Sequence, residues 1–420
     1  MQIGHLVGKD KFFLAYCNSL FIFGLFSRMR ESMASRGWSL LLVTPVLSVY
    51  LRARCQRIRC HLINNGQPEH LYQGLDARKT REYLQNLAGI EPLQRFQNSL
   101  LSSLETIASG LMPSAVAVWN GLDAGTQATL AFANQFGIPK IRLELGNIDS
   151  KMFVDPEGVN ANSTLTRNPE ILDAWQIPDE EFSNWLTKFQ AQRLATAQPP
   201  QARLSRTINI FYLLDRIGMS LLRTPQPSIV PIFKKIASKF QTSRIPSIPG
   251  IRPVSPYIFL PLQVSSDTNL LIMSDYDNLA AIEIAKRRAG ELACDLVVKV
   301  HPAETDRAMI REIERVCTEG GHLVTSLNTT ELILGAEEVV TINSTAGLEA
   351  LLYGKKVLIL GRCFYKNFSA SRARAYVLRY LVDFDPFGRA PMSLAAFDRM
   401  LEHLGGGVNS QPSMLDTPRG

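Results

Sequence analysis

The chain has 420 residues, of which 46% are hydrophobic and 20% are charged. That length is too great for one ordinary hydrophobic core and predicts two domains. The composition excludes disordered, collagen-like and coiled-coil proteins. The six cysteines show no CxxC pair or metal-ligand spacing, which favours reduced thiols in the cytoplasm over disulfides or structural zinc.

The net charge of +7 favours an acidic partner. The densest basic cluster consists of Arg52, Arg54, Arg57 and Arg59. Membrane phospholipid and acidic glycan both fit this cluster, and a solvated arginine-rich helix face is the alternative. Nucleic acid is not expected as a partner, because no aromatic residues interleave with the arginines and no recognised binding module accompanies them.

The apolar stretch 12–26 could be mistaken for a membrane or signal segment, but it is shorter than the roughly 20 residues that a spanning helix needs. We therefore predict a buried strand that turns into a helix at Gly24. No targeting segment is expected, and the predicted location is the cytoplasm.

The first half of the chain alternates between apolar runs and helical patterns. We predict strands at 12–23, 39–45, 115–120 and 138–144, and a long helix at 76–109. Such alternation predicts a parallel sheet with helices on its faces. Ligands of such sheets bind at the carboxyl ends of the strands.

A proline-rich stretch, 245–256, separates this half from a second series of alternating elements, with strands at 257–262, 295–301, 339–342 and 356–360. The predicted fold class is therefore α/β, with two Rossmann-like lobes and a cleft between them. The predicted regions are an N-terminal lobe at 1–205, a helical crossover and linker at 206–250, a C-terminal lobe at 251–390 and a flexible tail at 405–420.

Lys299 and His301 stand at the end of one predicted strand. Side chains two residues apart share one face of a strand, so both are expected to meet one phosphate group. Pro302 keeps His301 out of the helical conformation. A buried or surface histidine without function is the alternative.

A second group of polar residues follows the strand at 339–342. Ser344 and Thr345 precede a helix whose free amide groups predict a phosphate site, and Gly347 is expected to let the ligand approach. Glu349 is a candidate ribose ligand. A capping box that pairs Glu349 with Ser344 or Thr345 is the structural alternative.

The loop after the strand at 257–262 carries Gln263, Ser266 and Asp267. Asp267 is a candidate nucleophile or base, with a helix N-cap as the alternative. In the first lobe, Asn120 follows one strand, and Arg142 and Glu144 share a face of the next. The latter two residues either form an ion pair or supply the acceptor-side carboxylate that glycosyl transfer needs.

Together these blocks resemble the capsular polysaccharide synthesis and export family of the KpsS/KpsC type. The resemblance covers roughly residues 10–370 and rests on the order and spacing of the blocks. They are Trp119-Asn-Gly121, Glu144-Leu-Gly146, Asp155-Pro-Glu-Gly-Val-Asn160, Gln263 with Asp267, Lys299-Val-His-Pro302, the run from Ser344 to Gly354, Gly361 and Tyr365.

The resemblance implies a GT-B-like retaining transferase that moves β-Kdo from CMP-Kdo to a glycolipid or glycan acceptor. It implies that Asp267 forms a covalent intermediate with the sugar and that Glu144 is the acid and base. The phosphate of CMP would contact Lys299, His301, Ser344, Thr345 and Gly347. The ribose of CMP would contact Glu349. The remaining candidates, Asn120, Arg142, Gln263 and Ser266, fall on the sugar and acceptor side.

No metal and no cofactor are expected, because cationic side chains and a helix N-terminus would neutralise the phosphate. Contacts with the inner membrane and with the capsule export machinery fit the basic charge. Two other functions stay open. One is an inverting transferase that uses CMP-sialic acid, and the other is a non-catalytic scaffold of capsule export.

Overall fold

The structure, a computed structural model, describes residues 11–63, 75–148, 150–195, 214–218, 248–254 and 256–405. Most of the predicted crossover at 206–250 and nearly all of the predicted tail at 405–420 lie outside these ranges. The described residues divide into two compact units, one containing 11–159, 214–218 and 381–405 and the other containing 160–195 and 248–380.

The sheet of the first unit has the strand order β3-β2-β1-β4-β5-β6. Its strands are β1 (Lys11–Tyr16), β2 (Trp38–Thr44), β3 (Arg59–Leu62), β4 (Ala115–Trp119), β5 (Lys140–Leu145) and β6 (Met152–Asp155). Strands β1 to β5 are parallel, and β6 runs antiparallel to β5. This is the dinucleotide-binding strand order, in which the direction of winding reverses between β1 and β4.

Helices cover both faces of this sheet. They are α1 (Leu20–Arg28), α2 (Arg30–Ser35), α3 (Leu47–Cys55), α4 (Arg81–Leu84), α5 (Ile90–Gly110) and α6 (Ala124–Gln135). Strand β1 is apolar from Phe12 to Ala15 because both of its faces pack in a core: Phe13 and Ala15 face one core cluster, whereas Phe12 and Leu14 face the other. Both faces of a parallel strand are thus buried.

Two predicted elements of this unit have different bounds in the structure. The predicted strand at 12–23 ends at Tyr16, because the Ser19 hydroxyl accepts a hydrogen bond from the Ile22 amide at 3.3 Å and starts α1. The predicted helix at 76–109 is broken before α5, where Asn86 adopts a left-handed φ of 54°. Strand β3 was not predicted, so the arginine cluster extends from a helix onto a strand.

The sheet of the second unit has the order β11-β10-β7-β8-β9, and all of its strand pairs are parallel. Its strands are β7 (Tyr257–Pro261), β8 (Asp295–Lys299), β9 (Leu323–Val324), β10 (Glu338–Thr341) and β11 (Lys356–Ile359). The order repeats that of the first five strands of the other unit. The predicted fold class of two Rossmann-like α/β lobes is therefore confirmed, and the cleft stays a prediction.

Short and long helices flank this second sheet. They are α7 (Thr164–Arg167), α8 (Asp179–Ala195), α9 (Thr268–Met273), α10 (Asn278–Glu291), α11 (Arg307–Glu319), α12 (Thr329–Gly335), α13 (Thr345–Leu352) and α14 (Ala370–Ala375). The last helix, α15 (Leu394–Leu404), belongs to the first unit. Among the residues that the structure describes, no helix is long and apolar enough to cross a membrane.

Helix α8 belongs to the second unit, although it precedes the predicted lobe boundary at residue 205. Its last turn is held there by a 2.5 Å ion pair between Arg193 and Glu349, both largely buried. Phe189 stacks on Tyr353 with ring centroids 6.2 Å apart. These contacts attach α8 to the second unit, whereas the predicted division had placed all residues up to 205 in the first lobe.

Candidate active site

The carboxyl ends of β7, β8 and β10 bring together the polar residues predicted for the second lobe. Strand β7 pairs with β8 on one side and β10 on the other, so the direction of winding reverses beside β7. Such a reversal point opens the crevice in which doubly wound sheets bind their ligands. The loop after β7 is therefore the centre of the candidate site.

Two buried side chains fix the conformation of this loop. Asn278, at the start of α10, donates to the Gln263 carbonyl at 2.8 Å and accepts from the Gln263 amide at 3.2 Å. Glu304 accepts from both the amide and the hydroxyl of Ser265 at 2.7 Å. We call Asn278 and Glu304 the loop clamp. Neither residue was predicted from the sequence.

The carboxylate of Glu304 is itself held in its charged form. Burial alone would raise its pKa, but hydrogen bonds from Asp306, Ser265 and Thr305 outweigh burial and leave the pKa below its ordinary value. Its other oxygen accepts from the Thr305 amide at 2.7 Å. Glu304 thus ties the β7 loop to the turn that follows β8.

Gln263 stands out because its bonding is incomplete. The side chain is only 8% exposed, and its carbonyl oxygen Oε1 is buried with no hydrogen-bond partner within the described part of the chain. An unsatisfied buried acceptor costs roughly 1–3 kcal/mol unless something bonds to it. Its position at the end of β7 therefore makes it a candidate acceptor for a ligand's N–H or O–H group.

Asp267 stands immediately before α9, and its main-chain carbonyl accepts from the Leu271 amide at 3.0 Å. Its side chain is partly exposed, and Ser266 beside it is exposed. The Asp267 carboxylate acts electrostatically on His301, where it opposes the lowering of the histidine pKa. The candidate nucleophile and the candidate phosphate ligand are thus near enough to interact electrostatically.

His301 is a neutral imidazole near pH 7, because burial lowers its pKa despite the opposing effects of Asp267 and Glu304. Its Nδ1 accepts from the Ala303 amide at 3.1 Å, which leaves Nε2 to carry the proton. His301 can therefore offer one N–H donor. Of the two predicted phosphate ligands, Lys299 and His301, only Lys299 is therefore expected to carry a positive charge near pH 7.

Lys299 donates its ammonium group to the Leu327 carbonyl at 2.5 Å. Burial lowers its pKa to about 8, so it is mostly charged at pH 7. A lysine that loses this much hydration gains more than an exposed one when an anion approaches. The predicted shared strand face is not what the structure contains, because the strand ends at Lys299 and His301 lies in the turn that follows it. The joint phosphate contact stays a prediction.

The residues after β10 begin α13. The Ser344 hydroxyl accepts from the Ala346 amide at 3.3 Å and caps the helix, and Tyr365 donates to the Ser344 carbonyl. Ser344 and Thr345 are partly exposed. A Cβ atom on Gly347 would lie 2.7 Å from both Thr341 and the Tyr365 hydroxyl, so packing alone requires this glycine, and the ligand approach stays a prediction.

Glu349 lies one turn into α13 and is 6% exposed. Its Oε1 accepts from Arg193, and the Ser344 amide donates to the Thr341 hydroxyl at 3.3 Å, which is not the pattern of a capping box between Ser344 and Glu349. The predicted role in ribose binding stays a prediction, now with Arg193 as the partner that orients the carboxylate.

The candidates of the first unit lie at the carboxyl ends of β4 and β5. Asn120 has a left-handed φ of 41°, and its side-chain oxygen accepts from the Leu122 amide at 3.0 Å. Gly121 follows with φ 82°. This Asn-Gly turn thus has its own structural explanation, because asparagine and glycine tolerate that conformation best.

Arg142 and Glu144 do not form the ion pair considered from the sequence. Arg142 donates to the Pro156 carbonyl at 2.6 Å, and burial lowers its pKa. Glu144 is half-buried and accepts from the Leu145 amide at 2.9 Å. The turn that follows β6 is held by the Asp155 carboxylate, which accepts from the amides of Glu157 and Gly158 at 2.8 and 2.9 Å.

A further polar group in this unit escaped prediction. Asp123 is buried, caps α6 and accepts from the side-chain Nδ2 of Asn18 at 3.3 Å. Burial and the neighbouring Glu82 raise the pKa of Asp123 to about 6. Glu82 is fully buried and accepts from the Ala124 amide. Nothing in the spacing of Glu82 and Asp123 along the chain signals that they meet.

Two curated relatives match part of the chain. FixF of Sinorhizobium fredii is 36% identical over 115 residues, which are 26% of this chain and 27% of that protein. The capsule polysaccharide export protein KpsS of Escherichia coli is 32% identical over 119 residues, which are 26% of this chain and 31% of that protein. Each alignment thus covers less than a third of the relative's length.

Solved structures of two Thermosulfurimonas dismutans KpsC transferases are also similar, each at 16% identity. The β-Kdo 2,4 transferase has a TM-score of 0.43 and covers 69% of this chain and 88% of its own. The β-Kdo 2,7 transferase has a TM-score of 0.41, and its alignment covers 94% of this chain and 99% of the transferase. Because both TM-scores are low, the fold assignment rests on the strand order of the two sheets.

The family comparison covers more of the chain. Residues 114–375 match the family described as capsule polysaccharide biosynthesis protein. This range is more than half of the 420 residues and includes Asn120, Glu144, Asp267, His301 and Ser344. The chain therefore belongs to the capsule polysaccharide biosynthesis protein family.

Proposed function

We propose that the chain is a glycosyltransferase that moves β-Kdo from CMP-Kdo to a glycolipid or glycan acceptor, with retention of configuration. One observation supports this more than any other. At the reversal point of the second sheet, the buried and unpartnered oxygen of Gln263 accompanies a partly exposed carboxylate, Asp267, and a neutral N–H donor, His301.

The proposed first step forms a bond between a carboxylate oxygen of Asp267 and the anomeric carbon of the sugar. The bond from that carbon to the phosphate oxygen of CMP breaks, and CMP leaves as an anion. The Nε2–H of His301 donates to the departing phosphate, and the charge of Lys299 stabilises it. Neither side chain has to release a proton for this step.

The start of α13 is proposed to complete the phosphate site. Its first amide groups, together with Ser344 and Thr345, are the kind of donors that bind phosphate at a helix N-terminus. Gln263 is proposed for the sugar side, where it accepts from a donor group of the sugar, and Glu349 is proposed to accept from the ribose. The Arg193 ion pair fixes the orientation of the Glu349 carboxylate.

In the second step a hydroxyl of the acceptor attacks the same carbon, and the Asp267 carboxylate is released. The hydroxyl proton passes to Glu144, which we propose as the base. Asn120, Arg142 and Ser266 remain proposed contacts on the sugar and acceptor side. No metal ion and no cofactor enter this scheme.

Intact-protein mass spectrometry tests the covalent step. With CMP-Kdo and no acceptor, the unaltered chain is expected to gain the mass of one Kdo residue, because Asp267 holds the sugar. Asp267→Asn is expected to gain none and to lose at least ~10³-fold in turnover. Asp295→Asn, at the exposed start of β8, is the matched control and should behave as the unaltered chain does.

Other outcomes select among the alternatives. Turnover of CMP-sialic acid without an adduct, with only a modest loss in Asp267→Asn, would favour an inverting sialyltransferase. Absence of CMP binding and of turnover would contradict a transferase and favour a scaffold of capsule export. Unchanged CMP affinity in His301→Ala would remove His301 from the phosphate site.

A further inference from the structure

The sheet of the first unit reverses its direction of winding between β1 and β4, and two side chains at this point have no role in the proposed reaction. Ala15 pairs with Ala117, so two residues further along both strands Cys17 lies beside Trp119. Asn18 follows Cys17 directly. Because a reversal point opens a crevice at the carboxyl ends of the strands, Asn18 and Trp119 lie where a ligand of this unit would bind.

Trp119 has a hydrogen-bond donor that the protein does not use. Its ring is half-buried against the core, and its one ring contact within the described residues is an edge-to-face contact with Phe21, with 5.3 Å between centroids and 89° between planes. The indole N–H forms no hydrogen bond in the described part of the chain and is open to solvent. Core packing accounts for the buried part of the ring and leaves the N–H available to a ligand.

Asn18 offers the complementary acceptor. Its Nδ2 donates to the Asp123 carboxylate at 3.3 Å. Asp123 has a pKa of about 6, so near pH 7 it is mostly ionised and can only accept. The amide nitrogen of Asn18 is thus directed to Asp123, whereas its Oδ1 forms no hydrogen bond with the described residues and is open to solvent. A donor and an acceptor, each on an oriented side chain, therefore face this crevice together.

Aromatic surface accompanies these two polar groups. Phe21, in the first turn of α1, contacts both Trp119 and Phe387, with 5.3 Å between ring centroids in each pair. All three rings are half-buried. Partly exposed rings beside a neutral donor and a neutral acceptor suit a sugar ring, because its C–H groups pack on aromatic carbon while its hydroxyls bond to N–H and C=O groups.

Other classes of ligand fit this crevice less well. The turn from β1 into α1 reads Cys17-Asn18-Ser19 and has no glycine, whereas dinucleotide-binding turns need glycine for the pyrophosphate to approach the backbone. Asn18 and Trp119 are neutral, so they supply no charge to hold a phosphate. A hydrocarbon chain would leave both polar groups without a partner. A sugar ring is the class that uses the aromatic and the polar groups together.

We propose that a sugar ring of the glycan acceptor binds at this crevice, packed on Trp119 and Phe21, with its hydroxyls bonded to the Trp119 N–H and the Asn18 Oδ1. A hydroxyl suits both partners, because it accepts from the first and donates to the second. The role of this ring as an acceptor rests on the proposed function. Trp119 and Asn18 position the acceptor and take no part in bond formation.

Binding of soluble oligosaccharides without donor tests this proposal. An NMR titration of the full chain measures the affinity for a panel whose members end in β-Kdo, galactose or N-acetylglucosamine, and at least one member is expected to bind. Trp119→Ala should weaken that binding about 30-fold, because both the ring and the N–H are lost. Trp119→Phe and Asn18→Ala should each weaken it about fivefold, through loss of one hydrogen bond.

Phe136→Ala is the matched control. It removes a ring that is 40% exposed at the far end of α6, in the same unit, and should change oligosaccharide binding less than about twofold. CMP affinity should be unchanged in all of these variants. Trp119→Phe keeps the aromatic ring, so it remains informative if Trp119→Ala does not fold.

Several results would overturn the sugar site. They are absence of binding by every oligosaccharide, equal losses in Trp119→Ala and Phe136→Ala, and unchanged oligosaccharide binding in both Trp119→Phe and Asn18→Ala. Loss of CMP affinity in Trp119→Phe would identify a nucleotide site instead. Asp267→Asn should bind the oligosaccharide as the unaltered chain does, so a failed covalent step and a failed sugar site give different results.

Discussion

The carboxyl edges of the two sheets carry similar polar residues, yet their hydrogen bonding differs. In the first unit, Asn120 and Glu144 bond to neighbouring amides and Arg142 bonds to a carbonyl. In the second unit, Gln263 keeps an unsatisfied buried oxygen. Polar groups whose bonding is complete shape their own loops, whereas a group that stays unsatisfied inside a rigid loop is prepared for a ligand.

Among the variants that test this comparison, one in the loop clamp should show the largest change in stability and in ligand affinity. Asn278→Ala removes both bonds to the Gln263 main chain, so the unfolding free energy should fall by about 2–3 kcal/mol. CMP affinity should fall about tenfold as the loop loses its fixed conformation. Urea denaturation and calorimetry measure the two effects.

Asn184→Ala, on the exposed face of α8, is the matched control for this variant. It should change the unfolding free energy by less than about 0.5 kcal/mol. Unchanged CMP affinity in Asn278→Ala, despite the lost stability, would mean that the β7 loop does not bind the nucleotide.

Gln263→Leu separates ligand binding from structure. The leucine removes a buried oxygen that has no partner, so the unfolding free energy should stay the same or rise. Donor affinity should fall about tenfold through loss of one hydrogen bond. A variant that unfolds more easily and binds CMP-Kdo normally would show that Gln263 has only a structural role.

The pH dependence of donor binding follows from Lys299. Its pKa of about 8 means that the ammonium group loses its proton as the pH rises through that value. Donor affinity should therefore be greatest below pH 8 and fall several-fold above it, because the uncharged amine no longer attracts phosphate. Lys299→Gln should bind weakly at every pH and lack this decline. A decline that persists in the variant must come from another group.

Asn120→Gly should give the smallest change. Glycine adopts the left-handed conformation easily but loses the bond to the Leu122 amide, so the unfolding free energy should fall by less than about 1 kcal/mol. CMP affinity should not change, since we propose Asn120 for the acceptor side. A clear loss of CMP affinity would contradict the assignment of the nucleotide to the second unit.

The sequence predicted the location of the candidate site better than its internal contacts. Apolar runs ending in polar residues were sufficient to predict that Gln263, His301 and Ser344 lie at strand ends. The loop clamp was missed because Asn278 and Glu304 follow their partners by 15 and 39 residues. The Arg193–Glu349 pair joins residues 156 apart, and no local pattern predicts such a contact.

Local chemistry also changed the meaning of predicted residues. Gly347 was predicted to admit a ligand, but the bulk of Tyr365 beside it explains the glycine. His301 was predicted to join Lys299 on a phosphate, and its burial makes it a neutral donor instead of a second cation. Burial depends on the packing of the whole unit, which spacing along one strand does not reveal.

The most direct test of the account is calorimetric titration of the full chain with CMP, UDP and GDP, with and without magnesium. The account predicts metal-independent preference for CMP. It also predicts about tenfold weaker binding of CMP-Kdo in Gln263→Leu, with undiminished stability in that variant. Preference for UDP or GDP, or no nucleotide binding at all, would contradict the claim that the second unit holds a CMP-activated sugar.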